Sequence, residues 1–203
     1  MRKSAFHAGT VTVSTVCAAM CIAAGSALGG VTTLSASMTA DNQFTASIST
    51  SAGSAGSTFL SGTNWPSTYS GSTDLSAPGT YYLHIRAEDV GRPAMFIGNF
   101  SLSGTDATFA NGTQNLLTSI NPGDWSAALD TYGGTDVGVV DIGPNGTSPW
   151  GNYAAMGDAR FIWATGSPTP LVAYFTTVIT VVPAPGAASL VLLGLAAASK
   201  RHR

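Results

Sequence analysis

Residues 80–87 read TYYLHIRA and indicate the fold class. One side of this segment, if extended, carries apolar or small side chains: Tyr81, Leu83, Ile85 and Ala87. The other side carries side chains with polar groups: Tyr82, His84, Arg86 and Glu88. Successive side chains of a β-strand point to opposite faces, so the alternation predicts a strand with one face on a core and one in solvent.

Similar strand signals recur on both sides of this segment. Six further strands are predicted at residues 31–38, 43–50, 94–102, 137–142, 159–164 and 171–182. A stretch rich in Ser, Gly and Thr occupies residues 51–79, and turn dipeptides such as Asn111-Gly112, Gly133-Gly134 and Asn145-Gly146 follow. No long segment has a 3.6-residue period. The sequence therefore predicts an all-β fold, a single antiparallel β-sandwich over residues 28–181.

The charge distribution separates the ends of the chain from its middle. Five of the eight basic residues lie at the extreme ends, whereas residues 28–181 hold three arginines, no lysine and all ten acidic residues. This middle part therefore has a formal net charge of −7. A nucleic-acid binder needs Lys and Arg to neutralise phosphates, so that class is excluded. An acidic, lysine-free surface fits a soluble extracellular protein.

The N-terminal residues 1–27 resemble a secretory signal. Arg2 and Lys3 precede an uncharged apolar stretch from Val11 to Ala24, and small residues surround a predicted signal peptidase site after Ala27. A retained N-terminal anchor is the alternative. Both cysteines of the chain lie inside this signal, so the exported domain is predicted to contain neither a disulfide nor a thiolate.

The C-terminal residues 182–203 form a three-part tail. A proline-containing motif comes first: Val182, Pro183, Ala184, Pro185 and Gly186. An apolar segment at residues 187–199 follows, and at about 1.5 Å per helical residue it is shorter than the roughly 30 Å core of a bilayer. The basic end is Lys200, Arg201, His202 and Arg203, which is expected to stay in the cytoplasm.

This order of motif, apolar run and basic end resembles the PEP-CTERM sorting signal, with Ala184 where that family has Glu. The resemblance implies that an exosortase, a membrane cysteine transpeptidase, recognises the motif and removes the tail. It also implies a short transmembrane helix that anchors the chain only until it is sorted. A simple tail anchor is the alternative.

Residues 40–180 also resemble the galactose-binding-like jelly rolls attached to many secreted glycosidases. The resemblance rests on an ordered series of short segments: 41–44 (DNQF), 82–87 (YLHIRA), 93–97 (PAMFI), 124–125 (DW), 149–151 (PWG), 161–163 (FIW) and 173–175 (AYF). It implies a jelly-roll-like sandwich, flanked here by an N-terminal signal helix and a short C-terminal hydrophobic helix. The loop at residues 51–56 departs from the family, so no sugar-binding residue is transferred.

Two tryptophans are candidate ligand-binding residues, because Trp65 and Trp150 lie next to prolines in loop-like sequence and an exposed indole can stack on a sugar ring. Structural packing is the alternative for both, and Trp163 is predicted to lie in the core. The acidic stretch with Asp130, Asp136, Asp141 and Asn145 leaves structural calcium open, without the spacing of a known calcium loop.

The mixed-charge group His84, Arg86, Glu88, Asp89 and Arg92 is predicted to be a solvated strand face and turn. A hydrolase pairing Glu88 with a second carboxylate is the catalytic alternative. The leading hypothesis is an exported, non-catalytic protein of the cell surface or extracellular matrix. Its expected partners are signal peptidase, exosortase and extracellular polysaccharide, without a cofactor or nucleic acid. A purely structural surface protein is the third hypothesis.

Overall fold

The computed structural model describes residues 31–104, 106–166 and 171–183. These ranges contain twelve strands, one short 3₁₀ turn at Ala154–Met156 and no α-helix. The strands are β1 (Thr32–Asp41), β2 (Gln43–Ser49), β3 (Ser57–Gly62), β4 (Tyr69–Leu75), β5 (Gly79–Asp89), β6 (Met95–Leu102), β7 (Ala107–Phe109), β8 (Asn115–Leu117), β9 (Ser126–Ala128), β10 (Val139–Pro144), β11 (Arg160–Ala164) and β12 (Leu171–Val181).

The strands form two antiparallel sheets. The first sheet has the order β10-β11-β6-β1-β4, with β8 also paired to β6. The second has the order β3-β2-β5-β12-β7, with β9 also paired to β12. Asn42 alone separates β1 of the first sheet from β2 of the second, so the chain crosses between the layers in one residue. The predicted all-β antiparallel sandwich is confirmed.

The core between the sheets is aromatic at its centre. Phe96 on β6 lies with its ring centroid 5.0 Å from that of Phe175 on β12, which joins the two layers. Trp125 packs edge-on against Phe96 at 5.5 Å, and Trp163 packs against Phe175 at 5.8 Å. All four side chains are buried, so the prediction that Trp163 belongs to the core is confirmed.

A second apolar cluster covers part of the outer face of the first sheet. Met95 and Ile97 on β6 and Phe161 on β11 alternate with the core residues of their strands, yet all three are fully buried. The segment between β10 and β11 closes over them with Trp150, Tyr153 and Met156. The start of the strand predicted at 94–102 is therefore buried on both faces.

All seven predicted strands are present, and five strands went unpredicted. β3 and β4 lie in the Ser/Gly/Thr-rich stretch and form outer edges of the two sheets. An edge strand with a solvated face needs few large apolar side chains, so its sequence lacks a clear alternation. β7, β8 and β9 have three residues each, which is too short for a periodic pattern to show.

The two ends of the described chain leave the sandwich close together. The Thr33 amide donates to Ser103 Oγ at 2.9 Å, and the Val182 amide donates to the Asp106 carbonyl at 2.7 Å. Ser103 and Asp106 are three residues apart, a span of at most about 11 Å. The predicted signal helix at 1–27, the motif residues Ala184, Pro185 and Gly186, the C-terminal helix and the basic end lie outside the described residues.

Within those residues, none of the secondary structure is a helix with the length and apolar character needed to span a membrane.

Candidate functional site

A polar groove of about 440 Å³ lies beside the second apolar cluster, and we call it the asparagine groove. Three segments that are distant in sequence contribute to it: the turn after β7, the strand β8 with the loop that follows it, and the start of β11. Its lining residues are Asn111, Asn115, Leu117, Thr118, Ser119, Ile120, Asn121, Asp124, Asp158 and Arg160.

Thr118 fixes the backbone of the groove. Its hydroxyl donates to the Arg160 carbonyl at 2.7 Å and accepts from the Gly98 amide at 3.1 Å. The Arg160 amide in turn donates to the Thr118 carbonyl at 2.9 Å. Trp125 Nε1 donates to the Leu117 carbonyl at 3.0 Å, which ties the groove to the aromatic core. The backbone that carries the groove is therefore tied to β6, to β11 and to the aromatic core.

The loop after β8 is held by the carboxylate of Asp124, which is 7% exposed. Asp124 Oδ2 accepts from Ser119 Oγ at 2.5 Å and from Asn121 Nδ2 at 3.1 Å. Residues 121–124 read NPGD and form a turn in which Gly123 has a φ of +88°, a value that Gly adopts without strain. Asn121 is exposed beside this turn.

Arg160 enters the groove already neutralised. Its Nε and Nη2 donate to the two carboxylate oxygens of Asp141, a paired geometry that suits a guanidinium and a carboxylate. The hydrogen bond from Arg160 lowers the pKa of Asp141 below its ordinary value, with a further contribution from the Gly143 amide. Asp141 is therefore ionised over the physiological range.

Several polar and apolar groups remain available to a ligand. Asn115 and Asp158 are exposed, and among the described residues neither side chain has a hydrogen-bonding partner. Ile120 is 47% exposed and Leu117 is half-buried, so an apolar surface lies between the polar groups. The groove thus offers amide and carboxylate oxygens, amide N–H donors and an aliphatic surface within one cavity.

The sequence gives only a weak signal for this groove. Three asparagines and Asp124 occur within residues 111–124, a concentration that suits a polar loop without assigning it a role. Asp158 and Arg160 come from a segment more than 30 positions further on, and only the pairing of β11 and β8 with β6 brings them there. The groove is therefore a product of the fold, without a sequence motif of its own.

Trp65 and Trp150 come together as parts of the second apolar cluster. Trp150 is 7% exposed, its ring lies 5.1 Å from that of Phe161, and its Nε1 donates to Asp41 Oδ2 at 2.9 Å. An indole covered in this way offers no open face to a sugar ring, so the stacking predicted for Trp150 does not fit. Trp65 is half-buried at the edge of the cluster, where Tyr153 Oη donates to its carbonyl at 2.8 Å.

Two buried carboxylates lie near the point where β1 passes into β2. Asp41 accepts from Trp150, and Asp89 Oδ1 accepts from the Gly91 amide at 3.1 Å while its Oδ2 is buried without a partner. Burial raises the pKa of both groups; the charge of Asp41 raises that of Asp89 further, and the hydrogen bond from Trp150 partly offsets the effect at Asp41. Both side chains are buried, which the sequence did not predict for Asp89.

The prediction of a solvated strand face around His84 is only partly correct. Arg86 and Glu88 form an ion pair of 2.7 Å on the outer face of β5, with partly exposed side chains. His84, on the same face, is fully buried. Its ring stacks on Tyr82 with centroids 6.0 Å apart, and Tyr132 covers it at 4.4 Å.

The segment of residues 51–53 closes the site of His84. His84 Nε2 lies 3.3 Å from the Ser51 carbonyl, which can only accept, so Nε2 carries the proton and Nδ1 accepts from Thr176 Oγ1 at 2.9 Å. Gly133, with a φ of +67°, lies so close to this segment that a Cβ would be 2.9 Å from the Ala52 carbonyl oxygen. Loops cover the outer face here, which strand alternation could not predict.

Acidification should destabilise the fold through His84. Burial lowers the pKa of His84 below its ordinary 6.5, only partly opposed by the Ser51 carbonyl. The unfolded chain then binds more protons, so this contribution is complete above pH 6.5 and is lost as the pH falls through the folded-state pKa. We expect the melting temperature between pH 7.5 and 5 to fall less in His84→Gln than in the wild type. Equal changes in the two proteins would contradict this assignment.

The side chains of the candidate calcium stretch each form hydrogen bonds or an ion pair within the protein. Asp136 Oδ1 accepts from the Ala127 and Gly138 amides, Asp130 Oδ1 accepts from the Thr131 amide, and Asp141 pairs with Arg160. Asn145 binds the backbone of Tyr153 and Gly157. In the described ranges, no three His, Cys, Asp or Glu side chains come together as a metal site would require.

No protein-family model, curated protein or solved structure matches this chain.

Proposed function

We propose that this chain is an exported, non-catalytic protein of the cell envelope or extracellular matrix that binds polysaccharide. The asparagine groove carries the proposal. A sugar ring presents hydroxyl groups at its rim and C–H groups on its faces. The side chains of Asn115, Asn121 and Asp158 can pair with neighbouring hydroxyls, while Leu117 and Ile120 receive the C–H surface.

The finer fold belongs to the same proposal. Two packed antiparallel sheets of six strands each support a jelly-roll-like sandwich. The groove lies at β8, where the turn after β7 and the loop after β8 meet the start of β11. Binding residues often lie on loops that a rigid scaffold positions. Asn121 lies in the loop after β8, and Asp158 lies in the segment before β11. The galactose-binding-like resemblance gives no residue-level assignment.

Export and sorting form the second part of the proposal. Residues 1–27 would direct secretion through signal peptidase, and the tail at 182–203 would be read by an exosortase in the manner of PEP-CTERM proteins. Two observations support access to the motif: Val182 follows β12 directly and is 50% exposed, and Pro183 is also exposed. A protease or transpeptidase needs such an extended, accessible backbone beyond the last strand.

Thermal melting of the full-length protein against a panel of polysaccharides tests the binding proposal. A ligand that binds only the folded state stabilises it by RT ln(1 + L/Kd) at free ligand concentration L, so the melting temperature rises with ligand concentration. We expect Asn115→Ala to weaken binding about 2- to 10-fold, the range for one net hydrogen bond. Asn152→Ala is the matched control, because Asn152 is exposed and lies outside the groove.

Each outcome of this panel has a distinct meaning. A dose-dependent rise that Asn115→Ala reduces and Asn152→Ala leaves unchanged would support the groove. Cooperative melting without a shift for any glycan would favour a purely structural surface protein. Cleavage of a glycan, lost in a Glu88 or Asp variant, would favour the hydrolase.

Intact-mass analysis of the exported protein from its host tests the sorting part. We expect a mass that lacks the residues near both ends, including Lys200 to Arg203. Mature exported protein that retains Lys200 to Arg203 would contradict removal of the tail by an exosortase and would leave a simple tail anchor.

A further inference from the structure

We propose that the polysaccharide bound in the asparagine groove carries positive charge, as polymers of amino sugars with free amines do. This inference rests on the proposed function and names the chemical class of its ligand. It follows from the distribution of charge in and around the groove. A polymer of uronic acids or sulfated sugars would be excluded by the same distribution.

The groove has an excess of carboxylates. Asp124 and Asp158 line it, and Arg160 enters it already paired with Asp141. These three carboxylates and one guanidinium have a net charge of −2. An anionic sugar would find the Arg160 guanidinium already neutralised, and the carboxylates would repel it.

Asp158 gives a cationic sugar a specific partner. Its carboxylate is exposed, and no protein group in the described part of the chain hydrogen-bonds to it. An ammonium group has three N–H donors and no acceptor, so it suits a rim that combines this carboxylate with the amide oxygens of Asn115 and Asn121. The hydroxyls of a neutral sugar can donate to the same oxygens, but only an ammonium adds the attraction of opposite charges.

The rest of the sandwich strengthens the same preference. Residues 28–181 have a formal net charge of −7 and no lysine. Of the three arginines, Arg86 is paired with Glu88 and Arg160 with Asp141. The summed field therefore concentrates cationic polymers near the surface and repels polyanions, most strongly at low ionic strength.

The deciding experiment compares three oligosaccharides of equal length with the full-length protein: a glucosamine hexamer, the N-acetylglucosamine hexamer and a galacturonate hexamer. Titration calorimetry is done near pH 6, where the amines are largely protonated, at 0.05 M and 0.5 M salt. We expect the glucosamine hexamer to bind most tightly, to lose affinity in high salt, and to bind about 2- to 5-fold more weakly to Asp158→Asn.

Asp130→Asn is the matched control. It removes the same charge from an exposed position outside the groove, and Asn keeps an oxygen for the Thr131 amide. An equal loss of affinity in both variants would overturn the role of Asp158. Equal binding of the amine and N-acetyl forms, or tighter binding of galacturonate, would overturn the inference and leave polysaccharide binding intact. Failure of all three hexamers and of every polysaccharide in the melting panel would overturn both proposals.

Discussion

Replacing Phe96 with alanine should cost the fold about 3–5 kcal/mol, the range measured for removing a phenylalanine from a tightly packed core. The Phe96 side chain is fully buried and touches the rings of Phe100, Trp125 and Phe175, so its loss opens a cavity between the two sheets. Domains of this size have a total stability of about 5–15 kcal/mol. The melting temperature should fall by on the order of 10 °C.

Urea unfolding followed by tryptophan fluorescence measures this cost. Val140→Ala is the control, because Val140 is 41% exposed and lies on the edge strand β10. It should change the free energy of unfolding by less than about 1 kcal/mol. A loss below about 1 kcal/mol for Phe96→Ala would show that the sheets do not pack through this aromatic centre.

Replacing Trp150 with alanine should have a comparable cost, about 3–5 kcal/mol, for a different reason. Trp150 covers Met95, Ile97 and Phe161 together with Tyr153 and Met156, and its loss would expose part of this outer face of the first sheet to water. The Asp41 carboxylate would also lose the indole N–H that it accepts from.

The variant Trp150→Phe separates the two effects. It keeps most of the apolar cover and removes only the hydrogen bond, which should cost about 1–3 kcal/mol because Asp41 is left buried. In a double-mutant cycle with Asp41→Ala, which removes the accepting oxygen, the two substitutions should be non-additive. Additive free energies of unfolding would mean that Trp150 and Asp41 contribute independently.

The strands that the sequence predicts best are those whose two faces differ in polarity. β5 was predicted from its alternation because the core lies on one side only, and Leu83, Ile85 and Ala87 are indeed buried. Trp163 was assigned to the core because its neighbours in the strand are apolar. One glycine of each predicted turn dipeptide has a positive φ value: Gly112 and Gly146 as second residues and Gly133 as a first residue.

The unpredicted part depends on loops that cover the outer faces of the sheets. His84 is buried because Tyr132 and the Ser51 carbonyl lie over it, and Trp150 is buried because its own loop folds back onto β6 and β11. Both contacts join residues many positions apart, so strand periodicity carries no information about them.

The candidate site was even less predictable from the sequence, because its residues also come together only in the folded protein. The prolines beside Trp65 and Trp150 predict exposed indoles in the sequence, but exposure is a property of the tertiary structure. The asparagine groove combines Asn115 with Asp158, which are 43 positions apart. Its ligand-binding potential comes from ordinary polar residues on β8, in the loop after it and in the segment before β11, and such residues have no distinguishing motif.

The described residues enter and leave the sandwich at the same pole, which determines how the domain would face a surface to which it is attached. Any surface attached through residues before Thr33 or after Val182 would hold the same pole of the sandwich, because Ser103 and Asp106 bring both exits together. The opposite pole, where β1 crosses into β2 at Asn42, would then point outward whichever end is tethered. Cleavage on one side would remove one attachment and leave the same pole of the sandwich facing the surface.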